Sequence, residues 1–350
     1  MPSFPRISLV GLAGSTGADT LDLATLGARF GLAPERIAAK TGITGLHRLA
    51  EGENLVEFAA FVAEAALARA GVDPSRVTAV FGSSNPTADD LLPTFTVAVA
   101  HALGLTEVVA DHVGIGCCGG LQALRNAWNQ LVVDALDGRI GYALVIAGDQ
   151  TSRILDPARP QTGTLFGEGV SVVVLTNDPA ANTGYVVERV ATKSLLGDAL
   201  YALRLRNPFA HPEAPVPHLE MDGGRVFAFG TQVVGDFLSL LGLPAMPDQG
   251  LLVPHQPNLR MLETLTDRAG LAPERVYSDG IRTIGNTSAP AALLGLEDAL
   301  RRGQAGATDT VVLGAFGAEL QVGAALLRPV HPLALVAAPP LARADVRRAA

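Results

Sequence analysis

Several things that would direct a reading are scarce in this chain. Only two of its 350 residues are cysteine, and they are adjacent, Cys117 and Cys118. Sequence neighbours cannot build a disulfide framework, so the sequence suits a reducing compartment and predicts a cytoplasmic protein. There is no CxxC, HExxH or Walker loop, the spacings of a redox pair, a zinc site or a phosphate cradle. No metal ion is therefore expected. Phe166-Gly167-Glu168-Gly169 reads as a turn rather than a phosphate loop. Charged residues make up 17% of the chain and the formal net charge is -8, which disfavours nucleic acid or an anionic membrane surface as partner. Met1 to Ser15 holds one arginine and no long apolar run, so neither signal peptide nor membrane span is expected.

What is present is apolar and punctuated: 48% hydrophobic residues, with 38 Gly and 23 Pro. That composition can bury a large core, and the length suits roughly two domain-sized units. Val77 to Gly82, Tyr142 to Gly148, Val170 to Leu175, Leu251 to Val253 and Val311 to Gly314 are continuous apolar runs. Such runs suit strands covered on both faces. Between them, Leu55 to Ala70, Leu121 to Leu136 and Leu259 to Ala269 repeat apolar residues at three- and four-residue steps. Alternating strands and helices predict an α/β architecture.

The two halves follow a similar plan. Ser84 follows a strand and Cys117 lies 33 residues on (117 − 84); His255 follows a strand and Asn286 lies 31 residues on (286 − 255). Asp111 precedes the first turn and Asp279 the second. The reading is therefore two pseudo-repeated halves, residues 1–178 and 179–350, with a site in the crevice between them. The Ala- and Pro-rich tail from Val330 to Ala350 is expected to be irregular and without a catalytic role.

Three turns carry reactive side chains. Gly114-Ile115-Gly116-Cys117-Cys118-Gly119-Gly120 offers a thiol, Val253-Pro254-His255-Gln256 an imidazole, and Gly285-Asn286-Thr287-Ser288 a carboxamide. Cys117 opens a helical pattern, where the positive end of the helix dipole favours thiolate, the nucleophile of thioester exchange. Each residue also has an ordinary explanation. A free cysteine is often buried and inert, a histidine after a strand is often a packed core residue, and an asparagine in a turn often serves the turn. Cys118 competes with Cys117 as nucleophile.

Taken together, these stretches resemble a thiolase-fold condensing enzyme of the β-ketoacyl-acyl-carrier-protein synthase III type. Lys40-Thr41-Gly42-Ile43, Leu165-Phe166-Gly167-Glu168-Gly169, Met221-Asp222-Gly223, Ala315-Phe316-Gly317 and Gly323-Ala324-Ala325-Leu326-Leu327 occur in the family's order. The resemblance implies a thiolase-like fold layered α-β-α-β-α. It selects Cys117 as nucleophile, with His255 and Asn286 holding the extender thioester. The backbone N–H groups of Cys117 and Ala318 would form an oxyanion hole. It implies substrate contacts at Leu92, Gly120 and Phe316, with Leu92 capping the acyl pocket of a partner subunit in a homodimer. Arg260 would dock acyl carrier protein, with Arg204 and Arg206 as an extension of that patch or simply the face of an edge strand. No cofactor is implied, since substrates arrive as coenzyme A or carrier-protein thioesters.

The chain departs from the family pattern at several positions. Arg36 stands where an aromatic residue commonly stacks on adenine, four positions before Lys40. Pro160 stands where an arginine helps to clamp the nucleotide, with Arg159 beside it. Gly120 replaces a bulky aromatic residue, and Glu319 a small residue of the oxyanion loop. These changes point to a specialised pathway, polyketide or other secondary metabolism, rather than primary fatty-acid initiation. Two other readings stay open: an acyltransferase of the same fold that moves the acyl group to a hydroxyl or amine, and a non-catalytic partner subunit of a synthase.

Overall fold

The alternation of side chains along the buried strands decides the architecture. The computed structural model describes residues 4–331, apart from 89, 199, 206, 208–209, 211–217 and 307–308. Arg206 and residues 332–350 of the tail lie outside the described residues. Among the described residues, nine strands form the main sheet: β1 (Ser8–Thr16), β2 (Val77–Ser83), β3 (Val109–Val113), β4 (Tyr142–Asp149), β5 (Gly169–Thr176), β6 (Gly184–Ser194), β7 (Gly250–Pro254), β8 (Thr310–Phe316) and β9 (Gln321–His331). Their spatial order is β7-β8-β9-β6-β1-β5-β4-β2-β3.

Every residue of β4 is buried. Ala143, Val145 and Ala147 join one core cluster, and Leu144 and Ile146 another. Residues two apart share a face of a strand, so β4 is covered on both sides. Strand β8 repeats this, with Val311, Leu313 and Ala315 in the first cluster and Val312 and Phe316 in a third. The first cluster is thus common to both halves of the sheet.

The helices fall into three layers. On the outside of the β1-β5-β4-β2-β3 block lie α1 (Leu55–Ala70) and α2 (Phe95–Ala102). Outside the β6-β9-β8-β7 block lie α3 (Val234–Leu241) and α4 (Leu259–Arg268). Between the blocks run α5 (Gly119–Leu136) and α6 (Ala291–Arg301), whose side chains fill the shared cluster. All residues of α6 from Ala291 to Leu300 are buried, as a middle layer requires. The layers run α-β-α-β-α, as the resemblance implied. The blocks meet at a narrow seam, where Ser8 and Leu9 of β1 pair with Val186 and Tyr185 of β6.

Local signals set the element ends. Asn54 caps α1 by accepting from the backbone N–H of Val56 and Glu57, and Gly71 closes it at φ 65°. The expected helix Leu55 to Ala70 is found with those bounds. Parallel neighbours occur in both blocks: β3-β2-β4 in one, β7-β8 in the other. Asn85, Cys117, His255 and Ala318 all lie just beyond the carboxyl ends of these strands, where open α/β sheets place their sites.

Candidate active site

The thiol comes from the loop after β3. Gly116, Cys117 and Cys118 form a short 3-10 turn that runs directly into α5. Gly116 has φ 67°, the left-handed region that suits glycine. A Cβ on Gly116 would sit 2.8 Å from the Cβ of Ala318, and a Cβ on Gly317 would sit 2.9 Å from that of Cys117. The two glycines therefore let the loop after β8 close against the cysteine turn. Cys117 Sγ lies 3.8 Å from Ser288 Oγ. The expectation that the helix start favours thiolate meets a larger opposing effect. Burial pushes the Cys117 thiol up to about 12, the negative charge of Asp149 adds to the rise, and the Ser288 hydrogen bond acts against both. Cys118 is fully buried and faces the core, with Sγ 4.0 Å from Ala315 O.

The imidazole of His255 follows β7. Its backbone N–H donates to Gly314 O at 2.6 Å, and its ring packs edge-on to Phe316, with centroids 5.6 Å apart at 84°. Burial pushes its pKa down to about 3, so the ring is neutral at pH 7 and offers an N–H rather than a cation. Its Nδ1 is buried and has no hydrogen-bond partner among the described residues. Asn286 does serve its turn, since its Oδ1 accepts from Ser288 N–H at 3.0 Å. That bond orients the amide and leaves Nδ2 without an intramolecular partner among the described residues.

Two cavities meet at Cys117. The first is lined by Cys117, His255, Asn286, Phe316, Phe229 and Met261, so the three reactive side chains share one space. The second, about 560 Å³, is lined by Ile154, Leu155, Leu196 and Leu219 and also reaches Cys117 and Ser288. Phe166, Leu200, Leu203, Ala318 and Glu319 border both. Glu319 holds a left-handed backbone, φ 60° and ψ 17°.

The remaining expected site residues are scattered. Leu92 is 81% exposed and lines neither cavity. Arg36 and Lys40 sit on the helix Pro34–Thr41, away from both cavities. Arg159 is exposed and paired with Asp156 at 3.2 Å. Arg260 lies over the Phe227 ring at 5.9 Å and lines a surface cleft beside Gly42 and Ile43. Arg204 borders the second cavity and donates to Glu220 through Nε at 3.0 Å. Sequence reasoning passed over Asn85, whose side chain is bonded to the cysteine turn. Its signal was its place just past a parallel strand.

Gly120 does not line either cavity. A Cβ there would lie 2.6 Å from the backbone oxygen of Ala289, just ahead of α6, so the missing side chain fits helix packing rather than a wider substrate pocket. Gly120→Ala is expected to destabilise the fold by about 1–3 kcal/mol, as overpacking does. Urea unfolding checks this; an unchanged midpoint would contradict it.

Comparison with known proteins bears on the family and the fold. The family profile for 3-oxoacyl-[acyl-carrier-protein (ACP)] synthase III matches residues 113–199, and the profile for its C terminal matches residues 245–329. The β-ketoacyl-[acyl-carrier-protein] synthase III of Rhodobacter capsulatus is 34% identical over 300 residues, 84% of this chain and 90% of that protein. The acetoacetyl CoA synthase NphT7 of Streptomyces sp. (strain CL190) is 32% identical over 313 residues, 86% of this chain and 92% of that one. Among solved structures, the 3-oxoacyl-(acyl carrier protein) synthase III of Pseudomonas aeruginosa PAO1 superposes with a TM-score of 0.81 at 30% identity, covering 93% of this chain and 98% of that one. The priming β-ketosynthase of the R1128 polyketide biosynthetic pathway gives 0.84 at 27% identity, covering 95% and 99%. The layered α/β arrangement is the thiolase-like fold of condensing enzymes. The chain belongs to the 3-oxoacyl-[acyl-carrier-protein] synthase III family.

Proposed function

We propose that this enzyme loads an acyl group onto Cys117 and then condenses it with a malonyl-type thioester, releasing carbon dioxide. The observation that carries the reading is the single cavity shared by Cys117, His255 and Asn286. In the first stage, Cys117 sulfur attacks an acyl thioester and the carrier thiol leaves. The apolar second cavity receives the acyl chain. In the second stage, the extender thioester lies in the first cavity. Its carbonyl oxygen accepts from the neutral His255 ring and from Asn286 Nδ2. Both bonds strengthen as loss of carbon dioxide makes that oxygen an enolate. The enolate carbon attacks the acyl-cysteine carbonyl, the bond to sulfur breaks, and a β-ketoacyl product leaves. Backbone N–H groups of Cys117 and Ala318, held together by the Gly116 and Gly317 contacts, stabilise the oxyanion of both acyl-transfer steps.

Residues 1–178 supply the thiol in this scheme, and 179–350 the imidazole and carboxamide. The substrates are thioesters of coenzyme A or acyl carrier protein. Arg260, exposed at the mouth of a cleft, suits docking of the acidic carrier. The relatives named for acetoacetyl CoA and polyketide synthesis support a specialised pathway. Incubation with a panel of acyl thioesters, read by intact-protein mass, followed by malonyl thioester with carbon dioxide detection, tests the scheme. Adduct formation without carbon dioxide release would defeat condensation.

The active form is proposed to be a homodimer. Strand β3 ends the sheet, and among the described residues it pairs only with β2. Val109 at the start of that strand is 48% exposed, and Leu91 and Leu92 are 64% and 81% exposed, large apolar side chains that an isolated chain leaves in water. Light scattering at micromolar concentration is expected to give twice the 36.1 kDa chain mass. An active species at the chain mass would rule the dimer out.

A further inference from the structure

The thiol of Cys117 has one side-chain hydrogen-bond partner among the described residues, Ser288. Ser288 Oγ lies 3.8 Å from Cys117 Sγ and borders the cavity that reaches it. Ser288 has φ 64°, a left-handed backbone that a residue other than glycine adopts at a cost of about 1 kcal/mol or more. The turn is held there by the bond from Ser288 N–H to Asn286 Oδ1. The strained residue thus carries its hydroxyl to the sulfur from the same turn that carries Asn286.

Asn85 fixes which way that hydroxyl can work. Its Nδ2 donates to Ser288 Oγ at 3.0 Å and to Asp149 Oδ2 at 2.8 Å. Its Oδ1 accepts from Gly116 N–H at 3.0 Å, the residue before the nucleophile. Asp149, fully buried, also accepts from the backbone N–H of Asn85 at 2.8 Å and of Ala289 at 3.0 Å, so the amide is held from below as well. Ser288 Oγ accepts from Asn85, and its hydroxyl proton has two acceptors in reach, the Asp149 carboxylate and, once Cys117 is ionised, the sulfur. One side chain therefore ties together the thiol's turn, the serine and a buried carboxylate.

We infer that Ser288 is a catalytic residue that donates a hydrogen bond to the Cys117 thiolate, and that Asn85 is the positioning residue that orients it. The need is plain in the surroundings. Asp149 and the other thiol, Cys118, act on Cys117 from the protein side, while His255, Glu319, Arg204 and Arg225 border its cavities; the two arginines are engaged elsewhere, Arg204 with Glu220 and Arg225 with Asp222 and the backbone oxygen of Asp198, and neither is bonded to the sulfur. A hydroxyl donor is then the group at hand to stabilise negative charge on sulfur, roughly as charge-assisted hydrogen bonds do elsewhere. The inference rests on Cys117 being the nucleophile, but its test reads the thiol directly and needs no substrate.

The experiment is alkylation of Cys117 by iodoacetamide at fixed pH, in a Cys118→Ala background. Ser288→Gly is the first variant, because glycine accepts the left-handed backbone and removes only the side chain. Because burial already pushes the thiol up to about 12, the rate is read at fixed pH well below that value, where Ser288→Gly is expected to slow alkylation about tenfold, the equivalent of a midpoint moved up by about one pH unit. Asn85→Ala is expected to move the rate the same way. A second readout separates this from a general loss of structure: the rate of Cys117 acylation should fall, while enzyme already acylated should release carbon dioxide from malonyl thioester at the unaltered rate. An unchanged alkylation rate in Ser288→Gly would overturn the assignment, and so would an equal loss in both half-reactions. Failure of the parent reading looks different, since it would leave the change in alkylation rate intact and abolish only the acyl adduct's dependence on Cys117.

Discussion

Asn286→Ala is expected to slow carbon dioxide release from malonyl thioester about a hundredfold or more, the usual cost of one donor to a developing oxyanion. His255→Ala should do the same. The double variant should cost little more than either alone, because both groups act on one oxygen. The geometry supplies the reason. Asn286 Oδ1 is committed to Ser288 N–H, so only Nδ2 remains to meet a substrate. The His255 ring, pushed down to about 3, stays neutral from pH 5 to 8. The decarboxylation rate should therefore show no ionisation near 6.5, the ordinary histidine value. Stability carries the matching sign. Below 6.5 the unfolded chain binds a proton that the folded chain refuses, so this residue's share of stability is whole above 6.5 and shrinks as pH falls toward 3. Rapid-quench kinetics on pre-acylated enzyme measures the rates. Product formation that survives Asn286→Ala, with no carbon dioxide released, would instead establish acyl transfer to a hydroxyl or amine.

The second large effect concerns the paired cysteines. Cys117→Ala should abolish the acyl adduct seen by intact-protein mass, and Cys118→Ala should keep it. Both sulfurs are buried, yet only Cys117 borders the two cavities. Cys118 points toward β8 and β9; a Cβ on Gly323 would meet its sulfur at 2.9 Å. An acyl chain entering through the cavities reaches the first thiol and not the second. An adduct that persists in Cys117→Ala and vanishes in Cys118→Ala would reverse the assignment.

The apolar runs announced β2, β4, β5, β7 and β8 because a strand buried on both faces is apolar throughout. Strand β1 gave no such signal, although it lies at the seam of the sheet. Gly11 and Gly14 interrupt its run, and a Cβ at either would meet Ala66 O of α1 at 2.7 Å or Leu294 of α6 at 2.5 Å. Close approach of helices from two layers selects residues that do not look like a strand. Strand β6 was hidden by Glu188, Arg189 and Lys193. The helix α6 gave little period, because its acidic residues Glu297 and Asp298 are themselves buried in the middle layer. At the site, the thiol, imidazole and carboxamide were legible from their turns. Asn85 was not, because its role depends on contacts with residues 31 and 203 positions away. The helix start at Cys117 argued for thiolate, whereas burial, which no local pattern reports, argued more strongly the other way.

The seam between β1 and β6 joins the two blocks through the pairs Ser8–Val186 and Leu9–Tyr185. So few ladder bonds cannot set how far apart the blocks stand; the side chains of α5 and α6 between them do. Those helices act as a spacer gauge. Cys117 rides on the start of α5, while Asn286 and Ser288 immediately precede α6. The bulk of residues such as Leu124, Leu131, Leu293 and Leu296 therefore meters the reach between the thiol and its partners. Natural drift or directed evolution has a dial there. A methyl group gained or lost deep in the middle layer can retune turnover without altering any atom that touches substrate, so rate-altering mutations should accumulate in a part of the molecule that no docking experiment would examine.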